Sequence, residues 1–400
     1  MTYRDLVLYD DFTRQRCWFP IANLMTHGII KGNLEKLGSA EEPLEKFTDD
    51  VLLYFARGIS MYELYISPDL LTEGEWNAIS EAMLWARDRF PILSRTEMVG
   101  GDPGKRQAYG YIHWWRNRGI VAARNPWIDR AALKIRLDAA DGLEAKASHL
   151  VLERVYPTRW ISPRLFKAGE VAELPLEGFE TAVYELYPVG DATRPLVAGA
   201  RFDERNLDDG RHSITVFEGN PLLLNPQAVS GLFVKGVSRK NLDNIGKVRP
   251  LPSPLVSSMV SAMEGGARLQ VIIDATVRDA TVAVLVKPES RLAGRTLPRF
   301  AFRLDGALVN TTGEQEKGAW AWYLTTMGGG NHNIELTFPD SARWKGSVLA
   351  WVLSTQEAKG EEIICTTANT VKPPPMPPKP WPVEEVRRTS PIGKCVVGRQ

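Results

Sequence analysis

Residues Arg95–Trp127 read RTEMVGGDPGKRQAYGYIHWWRNRGIVAARNPW, and the chain changes character across them. Upstream lies a helical, aromatic-rich segment; downstream almost everything reads as short strands. Within the stretch, Gly100-Gly101-Asp102-Pro103-Gly104 is a turn, because glycine takes positive φ freely and proline presets φ. Tyr109–Trp115 and Gly119–Arg124 are apolar-aromatic runs joined by Arg116-Asn117-Arg118-Gly119, the pattern of a hairpin. The stretch therefore reads as a seam that opens an antiparallel β-domain.

Working upstream, Thr72 with Glu75 three residues later is a capping box. Trp76, Ile79, Met83, Ala86 and Phe90 then recur at helical spacing. Residues 40–58 read as another helix on Leu44, Phe47, Val51, Leu52 and Phe55, with Glu41, Glu42 and Pro43 suited to its first turn. Ile59–Ile66 is a short β-like run, and Leu6–Tyr9 reads as a strand. Strand–helix alternation of this kind argues for βα units and a parallel sheet.

Working downstream, residues 99–195 carry closely spaced strands with polar turns, the pattern of a β-sandwich. Residues 196–262 read as an irregular connection with short strands. Residues 263–371 read as a second, jelly-roll-like sandwich, with Glu362–Ala368 as its last strand. Residues 372–400 form a tail whose KPPPMPPKPWP run favours extended polyproline II.

Several motifs occur together in order: YRD, WFPIANLMTHGI, MYELYISPDLLTEGEWNAISEAMLWAR, then GGDPGK with YGYIHWWRNRGIVAARNP, then FETAVYELYP. In this order they resemble bacterial melibiase-like (α-galactosidase-like, "enterotoxin"-labelled) glycoside hydrolases, over roughly residues 1–200. The resemblance implies the end of a (β/α)₈ barrel followed by all-β domains, hence a multidomain α/β plus all-β chain whose residues 1–98 are the last βα units. A full barrel needs about 200–250 residues, and fewer than 95 precede the seam. Truncation, a mis-called start codon or a barrel completed by another chain would each produce this sequence.

The resemblance implies retaining hydrolysis of α-galactosides or related glycans without an organic cofactor. Asp5 in the YRD motif is the candidate acid/base, with Arg4 as its charged neighbour and Asp10 and Asp11 as further carboxylates. The nucleophile is expected outside this chain. His27, before a glycine, is a candidate sugar contact. So is Glu63, with alternation placing Tyr65 on its face and Tyr62 on the other. The bland readings of these residues are an arginine-paired structural aspartate, a structural histidine and an internal salt bridge. Trp114 and Trp115 point to opposite faces, one toward a sandwich core and the other toward the barrel interface. Asn331 and His332 would read a sugar if the second sandwich binds one. A non-catalytic carbohydrate-binding or scaffold protein is the competing reading, favoured by twelve tryptophans.

Composition supplies exclusions. A net charge of +1 gives no global field for nucleic acid or anionic membrane. No apolar run reaches the roughly 18 residues of a spanning helix. There is no phosphate loop, GxSxG, HExxH or paired Cys/His metal spacing. Three cysteines exclude a full disulfide framework, although Cys365 could pair with Cys395 in an oxidising compartment. The N-terminus has no secretory signal pattern; a periplasmic or extracellular location stays open if it is truncated.

Overall fold

In the computed structural model the chain opens with a helix where Leu6–Tyr9 reads as a strand. Helix α1 spans Thr2–Leu8 and runs into a wider π-type turn over Tyr9–Arg14. Short apolar runs do not separate the two structures by themselves. Here an Asp10–Arg14 pair at 2.7 Å, one helical turn apart, fits the helical choice, and Leu8 is buried beneath it. The described residues are 2–32, 44–127, 130–138, 142–208, 210–242, 258–261, 266–273, 280–288, 301–309, 315–316, 320–337, 346–354 and 361–367.

Strand β1 (Met25–Lys31) and strand β2 (Met61–Ile66) pair in parallel, with helix α2 (Leu44–Ala56) between them in sequence and helix α3 (Glu73–Leu93) following. Both features of the Thr72–Glu75 capping box are present, and Glu75 also takes an ion pair from Lys31 at the end of β1. The buried stripe of α3 runs through Ile79, Ala82, Ala86 and Phe90, whereas Trp76 and Met83 are exposed. Ala82 holds the inward position that periodicity offers equally to Met83. The two helices and one face of the strand pair share a core that includes Phe47, Val51, Tyr54, Phe55 and Ile79.

Next come β3 (Thr96–Gly100), β4 (Tyr109–Trp115) and β5 (Arg118–Arg124). The β4–β5 hairpin closes on Trp115 opposite Arg118, with Arg116 left-handed at φ 55°. One face of β4 carries Tyr109, Tyr111 and Trp115 into the helical core. The other carries Ile112 and Trp114 into a second core, with Leu133, Ala172 and Leu174. That split of the two tryptophans is the one alternation requires. Leu133 belongs to β6 (Ala131–Arg136); β7 (Leu150–Tyr156) and β8 (Arg159–Ile161) follow. Then β9 (Val171–Leu176) pairs with β6, and β10 (Thr181–Pro188) lies between β5 and β7.

Residues 197–238, which read as an irregular connection, hold β11 (Val197–Asn206), β12 (Arg211–Leu223), β13 (Val229–Val234) and β14 (Val237–Ser238). With β24 (Glu361–Thr367) they extend the same antiparallel sheet to eleven strands, in the order β14-β13-β24-β12-β11-β8-β7-β10-β5-β4-β3. The inserted strand is β24, with Cys365 opposite both His212 and Leu232. The sequence groups this segment with the second sandwich; its partners are in the first unit. The chain thus forms one unit from residues 1–248 and 360–400, and another from 249–359.

The second unit holds β15 (Ser258–Ser261), β16 (Gly266–Ile273), β17 (Ala280–Pro288), β18 (Ala301–Leu304), β19 (Ala307–Leu308), β20 (Gln315–Glu316), β21 (Trp320–Met327), β22 (Gly330–Thr337) and β23 (Gly346–Ser354). A five-stranded sheet, β15-β23-β17-β21-β20, and a four-stranded sheet, β16-β22-β18-β19, supply a common core. Alternate residues face it: Leu269, Val271 and Ile273 from one sheet, Val282, Val284 and Val286 from the other. Cys365 is a buried free thiol whose pKa burial pushes up to about 12; Cys395 and the proline-rich run lie outside the described residues. No helix among the described residues is long and apolar enough to cross a membrane.

Candidate functional site

Asp5, on α1, is fully enclosed. Its Oδ1 accepts from Arg57 Nε at 2.9 Å, from Arg57 Nη2 at 2.5 Å and from the Tyr111 hydroxyl at 2.6 Å. Its Oδ2 accepts from the Tyr109 hydroxyl at 2.5 Å. The β4 alternation sends both tyrosines to this side, and Arg57 follows directly on α2. Burial, then the Asp5 charge, raises both tyrosine pKa values well above the usual range, so both remain donors. Burial opposes the Arg57 charge, but Asp5 and Tyr111 outweigh it and its pKa rises. The arrangement locks α1 to α2 and β4, and no substrate atom reaches Asp5 while it stands. Asp10 is taken up by Arg14, and Asp11 is half-buried in the same turn.

Arg4 turns the other way and donates from Nη1 to the Gly28 carbonyl of β1. Burial, then the Arg57 charge, lowers its pKa. A bulge in the β1–β2 register falls between His27 and Ile30, and the Tyr54 hydroxyl fills it. That hydroxyl donates to the Thr26 and Glu63 carbonyls at 3.0 and 3.3 Å and accepts from the Glu63 amide at 2.7 Å. A Cβ on Gly28 would stand 2.2 Å from the Glu63 carbonyl oxygen and 2.6 Å from the Tyr54 ring, so the close approach needs glycine.

His27 lies opposite Glu63 in register; its side chain is outside the described set. Glu63 accepts from the Tyr65 hydroxyl, as their shared face requires, and this bond raises the Tyr65 pKa. Tyr62 faces the helices, its ring 4.7 Å from that of Phe55, and burial lifts its pKa to about 12. The structure therefore brings the Arg4 guanidinium to the strand pair that carries His27, Glu63 and Tyr65, and sends the Asp5 carboxylate elsewhere. The face of β1–β2 turned from the helices is open: Met25, Met61 and Tyr65 are 54%, 58% and 44% exposed.

A second cluster has no motif. Glu153 on β7 accepts from Arg159 Nη2 at 2.7 Å, Arg194 Nη2 at 2.5 Å and the Tyr187 hydroxyl at 2.6 Å. Glu204 on β11 takes Arg159 Nη1 at 2.7 Å, Arg194 Nη1 at 3.2 Å and His212 Nδ1 at 2.9 Å. Burial opposes the Glu153 charge, but Arg194 and Arg159 overcome it and hold its pKa below the usual range. With its donors spent on its own acceptors, the network clamps β7, β8, β11 and β12 together. In the second unit, His332 gives Nδ1 to Asp305 at 2.8 Å and Nε2 to the Gly328 carbonyl at 2.9 Å, so neither nitrogen is left for a sugar; Asn331 is exposed. Among the described residues no group of three His, Cys, Asp or Glu side chains is placed to hold a metal ion.

No protein-family model and no curated protein matches the chain. Its structural neighbours are glycoside hydrolases, at low coverage. The α-amylase from Geobacillus thermoleovorans, complexed with acarbose, shares 13% identity and a TM-score of 0.31 over 46% of this chain and 43% of that one. A putative α-N-acetylgalactosaminidase from Bacillus halodurans shares 14% identity and a TM-score of 0.30 over 46% and 44%. The α-galactosidase I from Mortierella vinacea shares 10% identity and a TM-score of 0.27 over 38% of each chain. This chain spans less than half of each of these structures, and likenesses of that size do not bear on what it does.

Proposed function

We propose that the chain is part of a carbohydrate-acting glycoside hydrolase of the melibiase-like, retaining α-galactosidase kind. Residues 1–98 supply the last βα units of its (β/α)₈ barrel, and the antiparallel sheets are its accessory β-domains. The observation that carries this reading is the one-sidedness of the β1–β2 pair. Two parallel strands have α2 and α3 packed on one face, while Met25, Met61 and Tyr65 are exposed on the opposite face, with Glu63 half-buried beside Tyr65. In a closed barrel that second face is the inner wall, and catalytic groups stand at the C-terminal strand ends.

Glu63, Tyr65, His27 and Arg4 are then the substrate-contact residues, and the nucleophile comes from a strand outside this chain. Retention needs two carboxyl groups about 5–5.5 Å apart. For Asp5 to be the acid/base, α1 must swing away from Arg57, Tyr109 and Tyr111; as it stands, Asp5 anchors the helix. That enclosure favours the second reading, a scaffold or carbohydrate-binding β-protein without chemistry of its own. The test is a product that includes the codons upstream of Met1. On the glycosidase reading it hydrolyses a nitrophenyl α-galactoside with retention, and Glu63→Gln weakens KM more than kcat. A folded extended product that is inert on this substrate would overturn it.

A further inference from the structure

A groove of about 710 Å³ runs along α3, walled by α2 on one side and by β7 and β10 on the other. Asn77, Glu81, Trp85 and Arg89 line it at four-residue intervals, one turn apart, over about 18 Å of helix. Leu52, Ala82 and Val183 make an apolar floor, and Tyr156 stands across from the helix, its hydroxyl fixed by a 2.7 Å bond to Asp49. None of these residues belongs to β1 or β2, so the groove is separate from the barrel face and its reading does not rest on the glycosidase assignment.

The charges lining it are unequal. The Arg89 guanidinium lies 5.4 Å from the Trp85 ring and is bound to Glu185 at 2.6 Å. Arg159 is held by Glu153 and Glu204, each at 2.7 Å. Both cations are therefore spent, which leaves no field for an anionic ligand. Asn77 and Glu81 have no protein partner among the described residues, and both are exposed. An apolar floor, two aromatic rings and an unspent amide and carboxylate match a ligand with apolar C–H faces and many hydroxyls, with no charge required.

The geometry points to this groove as a non-catalytic binding site for a neutral oligosaccharide, seated on Trp85 and Tyr156 and hydrogen-bonded by Asn77 and Glu81. The test is titration of the full chain with raffinose and maltotriose, with inorganic phosphate and spermidine as charged probes. At least one neutral sugar binds in the millimolar range. Trp85→Ala weakens it by about tenfold, the scale of one lost aromatic contact. Glu81→Gln, an exposed change that leaves the fold intact, weakens it several-fold, and Trp18→Ala, outside the groove, leaves it unchanged. The inference is overturned if neither sugar binds, if binding is indifferent to both groove variants, or if only spermidine binds and Glu81→Gln abolishes that. Because the readout is binding, an inert extended product in the hydrolysis assay would leave this result standing.

Discussion

Asp5 faces one guanidinium, whereas Glu153 and Glu204 share two. In the first region a single carboxylate is enclosed with Arg57 and two tyrosines, and removal of either charge strands the other. In the second, Arg159 and Arg194 each touch both glutamates, so loss of one carboxylate leaves each guanidinium a partner. Burial alone therefore does not set the energetic weight of a charge; the number of alternative partners does. An unshared pair is brittle, and a shared one is tolerant.

The largest effect expected from this contrast is at Asp5. Asp5→Ala leaves Arg57 buried and uncompensated, a loss of about 3–5 kcal/mol in urea unfolding. The double change Asp5→Leu with Arg57→Met recovers most of it, because the buried charge is gone. A single variant as stable as the wild type would break the comparison at its stronger end. Glu153→Gln comes next, at about 1–3 kcal/mol, since Glu204 remains for both arginines. Glu153→Gln and Glu204→Gln together then cost more than the sum of the singles. Strict additivity would show that the network is not shared.

His113 sharpens the contrast from the side of pH. It extends the Tyr109–Tyr111 face of β4, with Nδ1 at 2.8 Å from the Leu93 carbonyl, and burial lowers its pKa to about 4. The unfolded chain protonates this histidine below 6.5 while the folded chain resists until about 4. Stability is therefore full above 6.5 and falls through that window, by on the order of 3 kcal/mol in total. His113→Gln should flatten the pH dependence of the urea midpoint between 6.5 and 5. The smallest effect belongs to the exposed pair in the second unit. A hydrogen bond to Asp305 raises the His332 pKa, so its contribution is whole below 6.5 and fades as pH rises through the folded value. With Asp305 half open to water the energy is below about 1 kcal/mol. The check is an NMR titration of the imidazole, whose midpoint should fall in Asp305→Asn.

The parts legible in the sequence are those set by neighbours in the chain. The Tyr109–Arg124 hairpin, the Thr72–Glu75 capping box and the split of Trp114 from Trp115 follow from turn chemistry, spacing and alternation. So does the shared face of Glu63 and Tyr65. The YRD motif singles out Asp5, but its surroundings arrive from Arg57, Tyr109 and Tyr111, and no local signal announces that enclosure. The Leu6–Tyr9 run is helical rather than extended, and four apolar residues in a row fit helix and strand alike. Return of β24 to the first sheet across the second unit is a long-range pairing without a period, and Glu153, Arg159, Arg194, Glu204 and His212 are scattered charges with ordinary spacing.

The most direct measurement is hydrolysis of a nitrophenyl α-galactoside by the purified 400-residue chain, with Asp5→Asn alongside. Because Asp5 is sealed among Arg57, Tyr109 and Tyr111, a folded chain should give no turnover above buffer, and the variant should differ only in its unfolding midpoint. Turnover by the wild type that vanishes in a folded Asp5→Asn chain would contradict the account and make Asp5 a catalytic residue of a complete site.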